Sequence, residues 1–197
     1  MPREADLRAD ARRNRQQIVT AALALFRDKG IDVPMEEIAE RAGVGVGTLY
    51  RRFPRRDALI WATAYESLRG QVGMAEAALR EEPGGWAALC RFLRESAELR
   101  LGALAAAIEP GLHKDIQADP ELRVIRQALI DLIERMTAQA RADGELRADV
   151  GREEVGLLMT LQIYTPPQVP ADQAMRRVVD IMLDGLRASP DGLSQRS

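Results

Sequence analysis

A single cysteine, Cys90, and a single histidine, His113, stand among 197 residues. One cysteine forms no intrachain disulfide. A lone histidine and a lone cysteine, far apart in the chain, supply neither a nucleophile–base pair nor a metal-ligand set. The phosphate-cradling pattern G-x-x-x-x-G-K-[ST] is absent as well. These gaps argue against an enzyme and leave no expected metal or cofactor. No run of 18 apolar residues occurs, so a membrane span is not expected. The Met1–Asp6 stretch has no apolar segment behind it and does not read as a signal peptide. The cytoplasm is the expected location. Aromatic residues make up only 4% of the chain, and period-two alternation persists nowhere, so a sheet is not expected either.

What is present is helical rhythm. Apolar residues make up 46% and charged residues 29%, the balance of a folded domain with a real core. Helix 1 is expected from about Ala11 to Lys29, with Ile18, Ala22, Leu25 and Phe26 on one face and Gly30 as its stop. Residues 1–10 read as a mobile, mixed-charge arm. A second helix is expected to start at Pro34, carry Met35, Ile38, Ala39 and Ala42 inward, and end at Gly43. A third begins near Val46 and is stopped by Pro54. Longer helices are expected from Arg56 to Leu79 and from Trp86 to Ile108, the latter closed by Pro110-Gly111. Asp119 and Pro120 open another, which ends near Asp143-Gly144. The last two are expected over Arg152 to Tyr164 and Ala171 to Arg187, before a polar, disordered tail at 189–197. The fold class is therefore all-α, with about nine helices. The expected domains are a short helical module at 11–55 and a larger helical domain at 56–188.

Charge is unevenly placed. The net charge is −2, yet residues 1–57 carry 12 basic and 9 acidic side chains, a net of +3. Between Glu40 and Asp57 there is no acid, while Arg41, Arg51, Arg52, Arg55 and Arg56 all fall in that window. An acid-free, arginine-rich stretch suits a phosphate-facing surface, although a solvated basic face has the same composition.

Two short helices separated by Gly43-Val44-Gly45 have the spacing of a helix-turn-helix. Gly43 tolerates the positive φ that the turn needs, and Val44 is placed to plug it. Leu49 and Phe53 fall on the inward face of the second helix. Val46, Gly47 and Thr48 lie at its N-terminal end, where a recognition helix meets base edges.

The segment Ile38-Ala39-Glu40-Arg41-Ala42-Gly43-Val44-Gly45-Val46-Gly47-Thr48-Leu49-Tyr50-Arg51-Arg52-Phe53 resembles the helix-turn-helix of the TetR/AcrR family of bacterial repressors. Pro54-Arg55-Arg56-Asp57-Ala58-Leu59-Ile60 resembles the start of that family's fourth helix. The likeness covers roughly residues 13–61 and combines about ten positions at fixed spacing. It implies that the Tyr50 hydroxyl reaches a backbone phosphate and that Gly47 and Thr48 sit at the groove floor. Arg52 falls where many members carry histidine, and Arg56 where many carry lysine. Arg51 is the first choice for reading a guanine edge, and Arg55 is either a DNA contact or an exposed capping charge. Arg13 and Arg15 belong to a DNA-touching arm or to a solvated helix face. Two departures stand out. Gly45 replaces a common serine, and Val33-Pro34 stand where many members open helix 2 with Thr or Ser. Both remove a hydroxyl from the expected interface.

For the C-terminal region the resemblance implies a ligand pocket and a dimer interface built from the last two helices. The stripe Met175, Val178, Val179, Met182 and Leu186 agrees independently with an interface. So does the segment carrying Val155, Leu157, Leu158, Met159, Leu161 and Ile163, which reads as apolar all round and hence buried on two sides. Expected interface residues are Val155, Leu158 and Met159 together with that stripe. Candidates for the pocket are Trp86, Cys90, Leu93 and Leu101, with His113, Met136, Met159 and Gln162. Phe92 and Tyr164 are further candidates. Each is equally of a type that fills a core. The expected partners are double-stranded DNA, a small-molecule effector and a second copy of the chain. The function expected is transcriptional repression relieved by the effector. The alternative is a helical binding protein with a vestigial DNA module, favoured if acids interrupt the basic face.

Overall fold

The computed structural model of the chain describes residues 4–98, 110–161 and 170–188; the side chains of 4–9, 171 and 172 are not among them. Within these residues the chain forms nine helices: α1 Glu4–Lys29, α2 Met35–Ala42, α3 Val46–Arg52, α4 Arg56–Glu81, α5 Gly85–Glu98, α6 Pro110–Ala118, α7 Pro120–Ala142, α8 Arg152–Thr160 and α9 Ala171–Leu186. The one strand-like feature described is an isolated antiparallel bridge between Leu146 and Arg187. The all-α expectation holds.

The described residues fall into two compact units, one of residues 4–67 and 110–122, the other of 68–98, 123–161 and 170–188. In the first unit, Ile18, Val19, Ala22, Leu25 and Phe26 of α1 are buried, as are Ile38 and Ala39 of α2 and Leu49 of α3. Leu59, Ile60, Ala62 and Thr63 are also buried. The first half of α4 therefore belongs to the same compact unit as α1 to α3, whereas the expected boundary falls after residue 55. Within this unit, the Tyr65 hydroxyl donates to the Glu121 carboxylate at 2.8 Å.

Three boundaries differ from expectation. Helix α1 starts at Glu4 instead of near Ala11, so the segment read as an arm is helical from residue 4. A mixed-charge segment with neither proline nor glycine within it is compatible with helix. Pro110, expected as a stop, opens α6. A proline has no N–H to lose at the first helical position, so it starts a helix as readily as it ends one. Helix α8 ends at Thr160, before Tyr164, because Leu161 takes up extended backbone at φ −64, ψ 134. Residues 99–108 of the expected Trp86–Ile108 helix, and the tail at 189–197, lie outside the described residues.

In the second unit the buried cluster includes Trp86, Leu89, Phe92 and Leu93 of α5, Leu129, Ile133 and Met136 of α7, Val155 of α8 and Val179, Leu183 and Leu186 of α9. Arg91 ties the end of α4 to α5, donating to Glu81 at 2.9 Å, Glu82 at 3.2 Å and Glu95 at 2.8 Å. Asp119 caps α7, its carboxylate accepting the Leu122 N–H at 2.8 Å. Across the Leu146–Arg187 bridge, Arg147 N–H donates to the Leu186 carbonyl and Ala188 N–H to that of Glu145.

Candidate nucleic-acid interface

The turn between α2 and α3 is built as the glycine pattern predicts. Gly43 adopts φ 67, ψ 30, in the left-handed region. Its N–H donates to the Glu40 carbonyl at 3.0 Å, and the Val44 N–H reaches back to Ala39 at 3.0 Å. This closure satisfies carbonyls at the end of α2 and turns the chain sharply into α3. Val44 is half-buried as the plug. Helix α2 begins at Met35, with Pro34 just outside it as a cap that offers no side-chain hydrogen bond.

Helix α3 divides as expected. Leu49 and Phe53 are buried. Val46 is 39% exposed and Tyr50 42% exposed, and they share a face because they are four residues apart on a helix. Gly47 lies on the open side with nothing within 4 Å of where a Cβ would stand. Gly45 caps α3 without any side-chain hydrogen bond. The hydroxyl noted as missing from the sequence thus leaves the helix N-terminus open as well.

The arginines are held differently from one another. Arg51 is exposed and donates to the Thr48 hydroxyl at 3.0 Å, so the two lie together on α3. Arg52 is exposed. Arg55 pairs with Asp57 at 2.6 Å. Arg56 is half-buried, and its guanidinium donates to the Ile31 carbonyl at 2.6 Å. It therefore holds the α1–α2 connection as well as carrying charge. Arg15 of α1 lies 5.7 Å from the centre of the Phe53 ring, a cation–π contact that ties α1 to the end of α3.

One residue of this surface escaped sequence reasoning. The Tyr50 hydroxyl donates to the Glu36 carboxylate at 3.2 Å. Desolvation, then the charge and hydrogen bond of Glu36, push the phenol above its ordinary value, with Arg56 opposing. The window from Arg41 to Arg56 is free of acids along the chain but not in space, because the first turn of α2 brings Glu36 beside α3. Its neighbour Glu37 pairs with Lys29. The available signal was the loss of a capping hydroxyl at Val33-Pro34. A helix start without a cap leans on first-turn acids, and these then face whatever α2 faces.

The described candidate pocket residues are divided between the two units. Trp86, Cys90, Leu93 and Met136 are buried in the second unit's core, and Met159 packs against it. Burial pushes the Cys90 thiol up, against Arg94 and Arg187, so it behaves as a small apolar side chain. His113 belongs to the first unit, half-buried, with its Nε2 2.6 Å from Gln117 Nε2. Leu101, Gln162 and Tyr164 lie outside the described residues. A cleft of about 120 Å³ runs between Arg94 and Ala97 of α5 and Met175, Val179 and Asp180 of α9. It is small beside the ~300–1,000 Å³ of a typical ligand pocket, and the Arg94–Asp180 ion pair at 3.1 Å crosses its wall.

The expected interface stripe also needs correction. Val155, Val179 and Leu186 are buried within the chain's own core, and so have no surface to offer a partner. The inner face of α9 is Met175, Val179, Leu183 and Leu186. Its outer face carries Val178, Ile181 and Met182. Ile181 is 55% exposed, Leu157 of α8 68% and Leu161 56%. Helix α8 buries Val155 in the chain's own core and leaves Leu157 on its open side. Leu158, Met159, Val178 and Met182 are half-buried.

Residues 18–63 match the family described as "Bacterial regulatory proteins, tetR family". Residues 83–188 match that described as "Transcriptional regulator SbtR-like, C-terminal domain". The crystal structure of a TetR transcription regulatory protein from Mycobacterium vanbaalenii is similar, with 33% identity over 92% of this chain and 99% of that one, at a TM-score of 0.63. A TetR transcriptional regulator from Streptomyces coelicolor shares 29% identity over 89% of this chain and 99% of that one, at a TM-score of 0.66. An HTH-type transcriptional regulator of Staphylococcus aureus strain USA300 is 41% identical over 56 residues. That stretch spans only 30% of the regulator's length and 28% of this chain. No helix among the described residues is long and apolar enough to cross a membrane.

Proposed function

Because the chain belongs to the TetR family of bacterial regulatory proteins, we propose that it is a cytoplasmic transcriptional repressor that binds a pseudo-palindromic operator as a homodimer. The observation that carries this reading is the α2–turn–α3 geometry. It buries Leu49 and Phe53 while leaving Val46, Gly47, Tyr50, Arg51 and Arg52 open to a partner. An exposed helix start with a bare glycine admits close approach of a duplex, and the arginines supply phosphate affinity. The DNA contacts are Gly45 to Thr48, Tyr50, Arg51, Arg52, Arg55 and Arg56. Arg51 and Thr48, already joined, face the base edges.

The homodimer forms through the outer face of α8 and α9, where Leu157, Leu161 and Ile181 lie exposed. Paired two-fold, it sets the recognition helices ~34–36 Å apart, one turn of DNA. A small-molecule effector binds the helical unit of residues 68–98, 123–161 and 170–188 and releases the operator.

Glu36 favours the second reading, a helical binding protein whose DNA module is vestigial, because it is an acid on the basic face. Selection of duplexes from a random pool decides between them. Recovery of a two-fold-related consensus supports the repressor. No enrichment, with a flat response of binding to salt, overturns it.

A further inference from the structure

Glu36 and Tyr50 meet on the face of α3 proposed above to lie on DNA. Their hydrogen bond joins the first turn of α2 to the second turn of α3 at 3.2 Å. Both side chains are exposed. A phenol has one proton to donate. While that proton is on the Glu36 carboxylate, it is not available to a phosphate oxygen. A carboxylate and a phosphate diester are also the same kind of acceptor, anionic and able to take one short charge-assisted bond.

The surroundings keep Glu36 where it is. Pro34 leaves α2 without a side-chain cap, so an acid in the first turn is favoured by the helix dipole. Arg56, whose charge acts on Tyr50, has its guanidinium on the Ile31 carbonyl. Lys29 is committed to Glu37. The carboxylate thus presents its charge to Tyr50 and to anything that approaches Tyr50.

We propose that Glu36 is an internal stand-in for the DNA phosphate: it occupies the Tyr50 hydroxyl in the free protein and must be displaced when the protein binds. This rests on the reading of α3 as the DNA-binding helix. Binding exchanges one charge-assisted hydrogen bond for another, so the Tyr50 contact adds little net affinity in the native chain. The displaced carboxylate then stays near the phosphates and lowers affinity further. The device acts on the sugar–phosphate backbone, so it weakens binding to all sequences alike and leaves base preference untouched.

The test is a double-mutant cycle on the full chain, with Glu36→Ala, Tyr50→Phe and the pair. Binding is measured to a duplex recovered from the random pool and to a random-sequence duplex. Circular dichroism of each variant checks that both exposed substitutions leave the fold intact. Glu36→Ala is expected to tighten both duplexes by about five-fold, the worth of one hydrogen bond. Tyr50→Phe alone should change affinity by less than about two-fold, yet cost about five-fold in the Glu36→Ala background, where the hydroxyl is free for the phosphate. Glu36→Gln separates charge from competition, since the amide oxygen still accepts the phenol proton. It should tighten binding less than Glu36→Ala does. Equal effects of Tyr50→Phe in both backgrounds overturn the proposal while leaving the DNA-binding reading intact. If the native chain binds neither duplex, the reading of α3 falls, and the proposal falls with it.

Discussion

Gly85 and Met136 approach so closely that a Cβ on the glycine would stand 2.6 Å from the Met136 carbonyl oxygen. The Ala140 backbone nitrogen lies at the same distance. The obstacles are backbone atoms of α7, which cannot swing away as a side chain can. Gly85→Ala is therefore expected to destabilise the chain by about 3 kcal/mol, at the upper end of overpacking costs. Urea unfolding followed by circular dichroism should show a lower midpoint. An unchanged midpoint would mean that α5 and α7 are not packed at this distance.

This contact also shows what was hidden in the sequence. Pro83-Gly84-Gly85 reads as a helix break, and it is one. Nothing in the triplet says that Gly85 is also a crossing point, because its partners lie more than fifty residues away. The recognition module was legible because its signals are local: the Gly43 turn, the inward Leu49 and Phe53, and Pro54 as a stop. Glu36 was not, because its effect on Tyr50 comes from tertiary proximity rather than spacing. The division of the α9 stripe between the core and the open face was hidden for a related reason. On a short helix, periodicity identifies an apolar stripe but not which edge of it the chain's own core consumes.

Gly47 offers a separation of stability from function. A Cβ at its helical position would meet no neighbouring group within 4 Å, and glycine costs roughly 1 kcal/mol relative to alanine inside a helix. Gly47→Ala should raise stability by about 0.5–1 kcal/mol. It should also weaken DNA binding, because a methyl group would hold the helix start away from the groove floor. Thermal melts and a binding isotherm on the same preparation check both halves. A variant that binds DNA as well as the native chain would show that the backbone at Gly47 does not approach the duplex.

Arginine contacts should be readable in salt. Each phosphate neutralised contributes about 0.9 to the slope of log affinity against log salt. Arg52→Ala removes an exposed cation and should lower that slope by about 1 on every duplex. Arg51→Ala should additionally relax the preference at one position of the site if Arg51 reads a guanine. Titrations at several salt concentrations on selected and scrambled duplexes distinguish the two. An unchanged slope for Arg52→Ala would remove it from the interface.

Acid should act on the start of α8. The Glu154 carboxylate accepts the Gly151 N–H at 2.8 Å. That bond, with others weaker, holds its pKa below the usual glutamate value. A carboxylate with a lowered folded-state pKa contributes stability that is present above its unfolded value and lost as pH falls through the folded one. Glu154→Gln should therefore be less stable than the native chain near neutral pH. The difference should shrink at an acid pH, as the medium falls below the ordinary glutamate range and through the lowered folded-state value. Urea midpoints at the two pH values provide the comparison, and a difference that persists in acid would place the effect elsewhere than in the charge.

The two faces of α9 make opposite predictions for the same substitution. Ile181 is 55% exposed and Val179 only 6%. Val179→Glu places a carboxylate in the second unit's core without a partner, and such a burial is resisted by several kcal/mol. It should unfold the chain or lower its melting temperature sharply. Ile181→Glu meets solvent in the isolated chain and should leave each protomer folded, with native circular dichroism. If the outer face is the homodimer interface, however, it puts two like charges near a two-fold axis, where the same surface patch meets itself. Sedimentation should then report a monomer, and Leu157→Glu should do the same. A monomeric and folded Ile181→Glu would also bind its operator with much lower affinity, since each half-site would be held alone. If the native chain is a dimer and Ile181→Glu remains one, the outer face of α9 is not what joins the two copies.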